Sequence, residues 1–475
     1  MPTPIRFGTD GWRALMSGEF TFENVRRVTQ AVAIYWREAA ARKGIVPRAV
    51  VGCDTRRQSD QFAVAASEVL AGNDITTICA LQPAPTPAVS YAVKARGLIG
   101  GVMITASHNP PAFNGFKIKA DFAGSADTAM TDEIERLLDR EPPKTVPFEQ
   151  ARGEGRILVE DVRGPHREAV GRFVDLERIA GAKLNLVVDS MHGCGRREIE
   201  KILATRRGTA VTTLRAEPDP LFGGVNPEPI VANLSSLSDY LRGHRSDIAL
   251  VTDGDADRIA AMDPQGEFIS THYCFAMLLL HLIRHRKQSG CVVKALNTTV
   301  MVDRICAKYG LALHETPVGF KWAAQKMREC DVLMGGEESG GLGFKGWIPE
   351  RDGILAGLLL LEFLACERKP VRQIMAEMDA EFGASCYARE DVRYPLEKRA
   401  PLMEWLRQHP AQDLLGSPLS EVRDFDGVKM IARDGAWLMW RGSGTEPVLR
   451  VYAEAGEQSR ANALVRLGRQ LASNV

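Results

Sequence analysis

The sequence predicts an α/β protein, with three mixed α/β units in a row closed by a C-terminal unit of the α+β kind. Three observations carry this. Short apolar runs alternate with stretches of helical periodicity, the grammar of a parallel layer. Several of these runs lead straight into small, polar, glycine-bearing loops. After about Pro395 the alternation stops, and strand-like runs follow one another across turns such as Asp434-Gly435. A length of 475 residues fits several cores rather than one.

The first unit is expected over 1–150. Residues 7–13 read as a Gly-rich turn carrying one guanidinium, Arg13. A helix is expected over 24–41, strands at 49–54, 75–79 and 98–104, and helices at 59–71 and 127–139. Residues 141–155 are rich in Pro, Gly and charge and read as a linker. The second unit, 155–265, has strands at 184–189, 209–214 and 248–251, a turn and helix at 193–203, and a helix at 234–242. The third, 266–390, has helices at 272–285, near Met301, near Lys321 and at 352–365, with strands at 291–295 and 332–334. The fourth, 391–475, has antiparallel strands at 422–431 and 436–440, a strand at 448–453 and a last helix at 459–471.

Bulk composition narrows the function. Lys+Arg and Asp+Glu are 60 each, so the net charge is zero, which argues against a nucleic-acid or anionic-membrane binder. The nine cysteines are scattered with no C-x-x-C pair, as expected of a reduced, cytoplasmic chain. The first six residues have no apolar core and do not read as a signal peptide. The longest apolar runs, 274–283 and 354–366, are too short or too interrupted to span a bilayer.

Chemistry concentrates in the strand-end loops. The run at 98–104 leads into Thr105-Ala106-Ser107-His108-Asn109-Pro110, and then the turn formers Pro111, Asn114 and Gly115. Ser107 on such a loop, with His108 and Lys117 near in sequence, is a candidate covalent nucleophile. An Asn-Pro turn with a surface serine is the competing reading. The run at 248–251 ends in Thr252-Asp253-Gly254-Asp255-Ala256-Asp257-Arg258. Carboxylates this crowded repel one another unless a cation sits among them. A hard, oxygen-liking divalent ion is the natural partner, and Mg²⁺ suits phosphate chemistry best. A calcium loop is excluded, because its glycine and glutamate positions hold Arg258 and Pro264. Arg258 either pairs with a phosphoryl group or balances the acidic cluster. In the fourth unit, Arg441, Ser443, Gly444 and Thr445 form a small-residue turn. Its backbone N–H groups, hydroxyls and guanidinium make a phosphate cradle by chemistry, with a plain surface turn as the alternative.

Other motifs fail. Residues 341–346 match G-x-G-x-x-G but precede Trp347-Ile348-Pro349 rather than opening a helix, so a dinucleotide site is not expected. His281 and His285 have metal-like helical spacing, but the flanking Arg284 and Arg286 favour a helix-surface pair.

Taken together, the stretches FGTDGWR, TASHNP, DGDADR, GEESGG and RGSGTEP, in that order across nearly the whole chain, resemble the α-D-phosphohexomutase family, the phosphoglucomutase/phosphomannomutase enzymes. The resemblance implies three similar α/β domains and one α+β domain, each giving a loop to a central cleft. It implies that Ser107 carries a phosphoryl group, and that Mg²⁺ is held by Asp253, Asp255, Asp257 and the seryl phosphate. A hexose 1-phosphate and a hexose 6-phosphate would interconvert through a hexose 1,6-bisphosphate, which also serves as activator. Lys117, with His108 and Arg13 nearby, would handle the hydroxyl proton and the transferring charge. Arg441, Ser443, Gly444 and Thr445 would hold the phosphate that stays, with Arg258 also on the substrate side. Glu337 and Ser339 would bond sugar hydroxyls. Residues 319–322, with Lys321, resemble the sugar-proximal turn of glucose-preferring members.

Two positions depart from the family pattern. Gly341 stands where some dual-specificity members have His, which favours glucose over mannose, and the chain departs from glucosamine-phosphate members at the same loop. Gly442 stands where Pro or Ala is frequent. The expected partners are small sugar phosphates, with neither nucleic acid nor membrane, on a monomer or homodimer. Two other functions are weighed: a glucose 1,6-bisphosphate synthase, which uses the same residues, and a silent sugar-phosphate sensor, which would not need Ser107 and all three aspartates.

Overall fold

The computed structural model describes residues 5–442 and 447–473. The chain divides into two compact units, Met1–Gly290 with Gly319–Val371, and Cys291–Val318 with Arg372–Val475.

The first unit holds two sheets. One runs Trp12–Leu15, Phe113–Ala120, Gly100–Ile104, Arg48–Cys53, Thr76–Cys79, Ile157–Val159. Its last four strands are parallel and the first two antiparallel. The parallel strands are nearly all apolar because both faces are covered. Helix Phe22–Lys43 starts where the Thr21 side chain accepts from the Asn24 N–H and stops at Gly44, a left-handed cap. It buries Val25, Val28, Val32 and Trp36 against this sheet's core, beside Trp12, Phe20 and Phe62. The second sheet runs Phe268–Ile269, Ile259–Met262, Ile248–Thr252, Asn185–Asp189, Ala210–Leu214, with the last three strands parallel. The hairpin Val332–Gly336 and Leu342–Phe344 completes the unit's strands among the described residues. Helix Gly353–Glu367 is apolar and buried on nearly every side, as a central helix must be.

In the second unit, Cys291–Ala295 pairs parallel with Leu313–Thr316. An antiparallel sheet runs Cys386–Arg393, Val448–Ala455, Trp437–Gly442, Val428–Ala432, Ser417–Arg423, Asp413–Leu414. Helix Gln458–Ala472 lays Leu464 and Val465 on its core. The expected α/β class with an antiparallel C-terminal sheet is therefore what the chain adopts.

Several local expectations are corrected. Asn114 and Gly115 do not form a turn; they lie within strand Phe113–Ala120. A Cβ on Gly115 would stand 2.4 Å from the Thr105 carbonyl oxygen, so the glycine marks a close backbone approach. The first-unit turn at 7–13 runs into a strand, Trp12–Leu15. The linker at 141–155 contains helix Phe148–Gly153 and leads to Ile157–Val159, which draws the first sheet past the expected limit at 150. At the end of the expected 266–390 stretch, strand Cys386–Arg393 already pairs into the last sheet. The strand expected at 422–431 is two strands bent at Gly427, whose φ is +89°. Helix Thr86–Arg96 is hidden in the sequence by Pro85 and Pro87, which sit at its cap and in its first turn, where their missing N–H costs nothing.

Candidate active site

The serine loop is built by the hairpin of Gly100–Ile104 and Phe113–Ala120, whose register sets Met103 opposite Lys117. The hairpin brings Ser107 and Lys117, ten positions apart, to the same end of the sheet. Ser107 is fully buried with φ +52°, a conformation that a serine adopts only when its surroundings hold it there. Beneath the loop lies a buried polar platform. The Arg56 guanidinium donates to the carbonyls of Ser107 (2.7 Å), Asn109 (2.7 Å), Pro110 (2.8 Å) and Phe113 (3.1 Å). Its Nε bonds Asp54 at 3.0 Å. Asp54 also accepts from the Thr105 and Ser59 hydroxyls, at 2.6 and 2.7 Å. The Ser107 N–H donates to Thr105 Oγ1 at 2.9 Å.

The aspartate loop follows strand Ile248–Thr252 directly and meets the serine. Ser107 Oγ donates to Asp253 Oδ2 at 2.8 Å, with His108 Nδ1 3.5 Å away. The loops pass so close that a Cβ on Gly254 would stand 2.5 Å from the Ser107 carbonyl oxygen. Asp253, Asp255 and Asp257 are all fully buried, with ligand atoms within 4.8 Å of one another. Asp255 Oδ2 accepts from Thr86 Oγ1 and from Lys117 Nζ at 2.7 Å, and Asp257 Oδ2 accepts from Lys117 Nζ at 3.1 Å. Their other oxygens, Asp255 Oδ1 and Asp257 Oδ1, are buried without a hydrogen-bond partner among the described residues. A buried carboxylate oxygen left in this state is costly unless a cation meets it. The all-oxygen donor set fits a hard divalent ion.

The electrostatics agree. Burial, reinforced by Asp255 and Asp257, pushes the Asp253 carboxyl well above its ordinary range. Burial would also raise Asp255, but Lys117 and Thr86 overcome it and hold that carboxyl down. Burial works against a charged Lys117, yet Asp10, Asp255 and Asp257 keep it firmly an ammonium. The carboxyl facing Ser107 is thus the one whose charged form is least supported by the surrounding side chains.

A third element joins through Arg351. Its Nη2 lies 2.6 Å from Asp10 and 2.8 Å from Asp257, and its Nη1 3.3 Å from Glu337. Glu337 is buried, and burial raises its carboxyl above the usual range. Arg258 lies 3.8 Å from both Asp253 and Asp257. The aspartate loop is tied to the glutamate loop through the backbone: Arg258 and Gly341 form a bridge, and the Ile259 N–H donates to the Gly340 carbonyl at 3.0 Å. Gly340 has φ +85°, and a Cβ there would meet the Ile259 oxygen at 2.2 Å. Arg13 donates to Asn109 Oδ1 at 2.7 Å and lies 3.6 Å from Asp10.

The structure therefore brings together Ser107, His108, Lys117, Arg13, Asp253, Asp255, Asp257, Arg258 and Glu337. Ser339 is half-buried on the turn after Glu337. Lys321 instead donates to Thr128 Oγ1 at 2.9 Å and lies over the Trp322 ring. Arg441 belongs to the second unit, where its Nε bonds Asp426 at 2.9 Å. Ser443, Gly444 and Thr445 lie outside the described residues. The His281–His285 pair is not a surface pair: His281 is fully buried with Nε2 3.1 Å from Glu362. Asp10, Asp54, Arg56, Thr86 and Arg351 were missed. Asp54 and Arg56 carried a usable signal, because they follow an apolar strand as the other site loops do.

The chain matches the family models described as phosphoglucomutase/phosphomannomutase alpha/beta/alpha domain I at residues 4–144, domain II at 165–266, domain III at 270–382 and the C-terminal domain at 398–466. A phosphoglucomutase/phosphomannomutase of Thermococcus kodakarensis is 29% identical over 98% of both chains. A protein of Methanothermobacter thermautotrophicus assigned as a phosphoglucosamine mutase is 30% identical over 99% of this chain and 98% of its own. A crystal structure from Thermus thermophilus, assigned as a phosphomannomutase, is 34% identical with a TM-score of 0.87 over the whole of both chains. With all four domain models matched in order, this chain belongs to the phosphoglucomutase/phosphomannomutase family, a family of isomerases.

Proposed function

We propose that the protein interconverts hexose 1-phosphate and hexose 6-phosphate, with glucose preferred and mannose accepted, through a phosphoserine at Ser107 and a hexose 1,6-bisphosphate intermediate. The observation that carries this is Ser107 Oγ, held 2.8 Å from Asp253 and beside two carboxylate oxygens that lack a hydrogen-bond partner among the described residues. Asp253, Asp255 and Asp257 would hold Mg²⁺, which when bound neutralises charge on the seryl phosphate. In the first transfer the bond from phosphorus to Ser107 Oγ breaks, a bond from phosphorus to a sugar hydroxyl forms, and the hydroxyl proton ends on Oγ; in the second the bisphosphate's other phosphorus–oxygen bond breaks, phosphorus returns to Oγ, and the Ser107 proton ends on the sugar oxygen. Lys117, with His108 and Arg13 beside it, is assigned to that proton and to the charge on the transferring group. Glu337 and Ser339 are assigned to sugar hydroxyls, and Arg258, Arg441, Ser443, Gly444 and Thr445 to phosphate. We assign the four domains to 1–150, 155–265, 266–390 and 391–475, with the first extended to reach Ile157–Val159. A hexose 1,6-bisphosphate added in trace amounts is the expected activator, and the expected compartment is the cytoplasm. Among the described residues, no helix is long and apolar enough to cross a membrane.

A second reading, a glucosamine-phosphate substrate, is favoured by the relatives assigned as phosphoglucosamine mutases at 28–30% identity. Gly341 in the sugar loop weighs against it. One experiment tests both. The purified protein is assayed on glucose 1-phosphate, mannose 1-phosphate and glucosamine 1-phosphate, with and without the matching bisphosphate, alongside Ser107→Ala. Turnover fastest on glucose 1-phosphate, lost in Ser107→Ala, with added mass on the peptide containing Ser107, is the expected result. Faster turnover on glucosamine 1-phosphate would move the assignment to the second reading. Full activity of Ser107→Ala would overturn the phosphoserine.

A further inference from the structure

We propose that Arg56 is a positioning residue for phosphoryl transfer: it turns the Ser107 carbonyl inward and so aims the His108 peptide N–H at the group carried on the neighbouring Oγ. This rests on the reading of Ser107 as phosphoryl carrier.

The Arg56 side chain is completely buried, so it meets no solvent and touches no substrate. Its fork is filled by the serine loop, with Nη2 on the Ser107 and Asn109 carbonyls and Nη1 on those of Pro110 and Phe113. A guanidinium is planar and rigid, so four acceptors in these directions fix the orientation of the peptide groups, not merely their distance. In a trans peptide the carbonyl and the following N–H point to opposite sides. Holding Ser107 O against Arg56 therefore sends the His108 N–H away from the platform. The αL backbone of Ser107 is otherwise unfavourable, and these bonds offset its cost. Two further contacts lock Arg56 itself. Asp54 accepts from its backbone N–H at 2.9 Å and from its Nε at 3.0 Å. The Phe222 ring covers the guanidinium at 4.9 Å. The bare Gly254 passing over the same Ser107 carbonyl leaves that peptide no room to flip.

Arg56→Lys keeps a charge opposite Asp54 but removes the fork. A double variant, Asp54→Asn with Arg56→Gln, removes both charges together and decides the case should the lysine variant not fold. The readouts are kcat, KM, the Kd of glucose 1-phosphate on the dephosphorylated protein, and the ³¹P resonance of the phosphoserine followed through pH. The expected result is a kcat lowered about a hundredfold by a misaimed loop, an unchanged KM and Kd, and a displaced ³¹P resonance titrating at higher pH as a donor is lost. Unchanged kcat would overturn the inference. So would kcat and Kd falling together with the ³¹P resonance unmoved, which is the mark of general loosening. Ser107→Ala run in parallel separates the two claims. If it stays active, the carrier reading fails; if it is dead while both Arg56 variants behave as wild type, only the positioning role fails.

Discussion

Glu337 is an acceptor buried against Arg351, and its proposed partner is a sugar hydroxyl. Losing a hydrogen bond to a charged group costs about 1.5–3 kcal/mol, so Glu337→Ala should lower kcat/KM by about ten- to a hundredfold. Glucose and mannose differ at C2, and the loss should be equal for both 1-phosphates. Parallel kinetics on the two sugars check this, and a selective loss of one would show that Glu337 reads C2. Asp255 lends one oxygen to Lys117 and leaves the other without a hydrogen-bond partner among the described residues. Asp255→Asn should therefore weaken Mg²⁺ affinity by at least about tenfold while the Kd of glucose 1-phosphate changes little, measured by calorimetry with each ligand separately. At this scale, legibility followed contiguity. Ser107 and the three aspartates stood out because each motif is a short run with its chemistry complete. Arg351 did not, since its partners Asp10 and Asp257 are far away in sequence and only the fold makes them neighbours.

The elements carry the loops by close backbone contact, and glycines mark the points of contact. Gly115 sits mid-strand with a would-be Cβ 2.4 Å from the Thr105 oxygen and 2.9 Å from the Trp12 oxygen. Neither backbone atom can move aside cheaply. Gly115→Ala is expected to cost about 1–3 kcal/mol, the usual range for overpacking, and to displace Ser107. Urea unfolding should show a lower midpoint with an unchanged slope, and kcat should fall with it. Elements flanked by clear signals were legible: the expected 24–41 and 352–365 helices appear as Phe22–Lys43 and Gly353–Glu367. What was missed failed for stated reasons. Gly115 looked like punctuation because a glycine required by a crossing strand reads, in one dimension, like a glycine required by a turn. Prolines at 85 and 87 hid a helix whose first turn tolerates them.

Across the whole chain, the acid limb of stability should depend on a buried cluster away from the catalytic loops. Burial alone would raise the Glu362 carboxyl, but the hydrogen bonds from His281 and Arg286 overcome it and hold the carboxyl down to about 2. A depressed carboxylate stabilises fully above its unfolded value, near 4.5, and the contribution is lost as pH falls towards 2. The shift corresponds to about 3 kcal/mol. His281, kept neutral mainly by burial, adds to the loss, because the unfolded chain takes up its proton more readily below about pH 6.5. Unfolding free energies measured from pH 6 to 3 should fall steeply in wild type and less steeply in Glu362→Gln, which starts lower. The order of units was legible from the alternation of runs. The third stretch, 266–390, serves both compact units, and no local pattern announces a chain that crosses between them at 290, 318 and 371.

The backbone bridge between Arg258 and Gly341 has a consequence for how new substrate preferences arise. The glutamate loop is the natural segment to exchange between relatives, yet its Gly340 oxygen is an acceptor for Ile259, and a side chain at 340 would strike the Ile259 oxygen. A transplanted loop thus inherits a neighbour's constraint along with its own chemistry. Variation that keeps Gly340 in place leaves its contact with Ile259 intact. Variation that replaces it disturbs the aspartate loop first, and a side chain at 341 would meet the Arg351 Cδ at 2.3 Å, so both glycines of the loop are held by their neighbours.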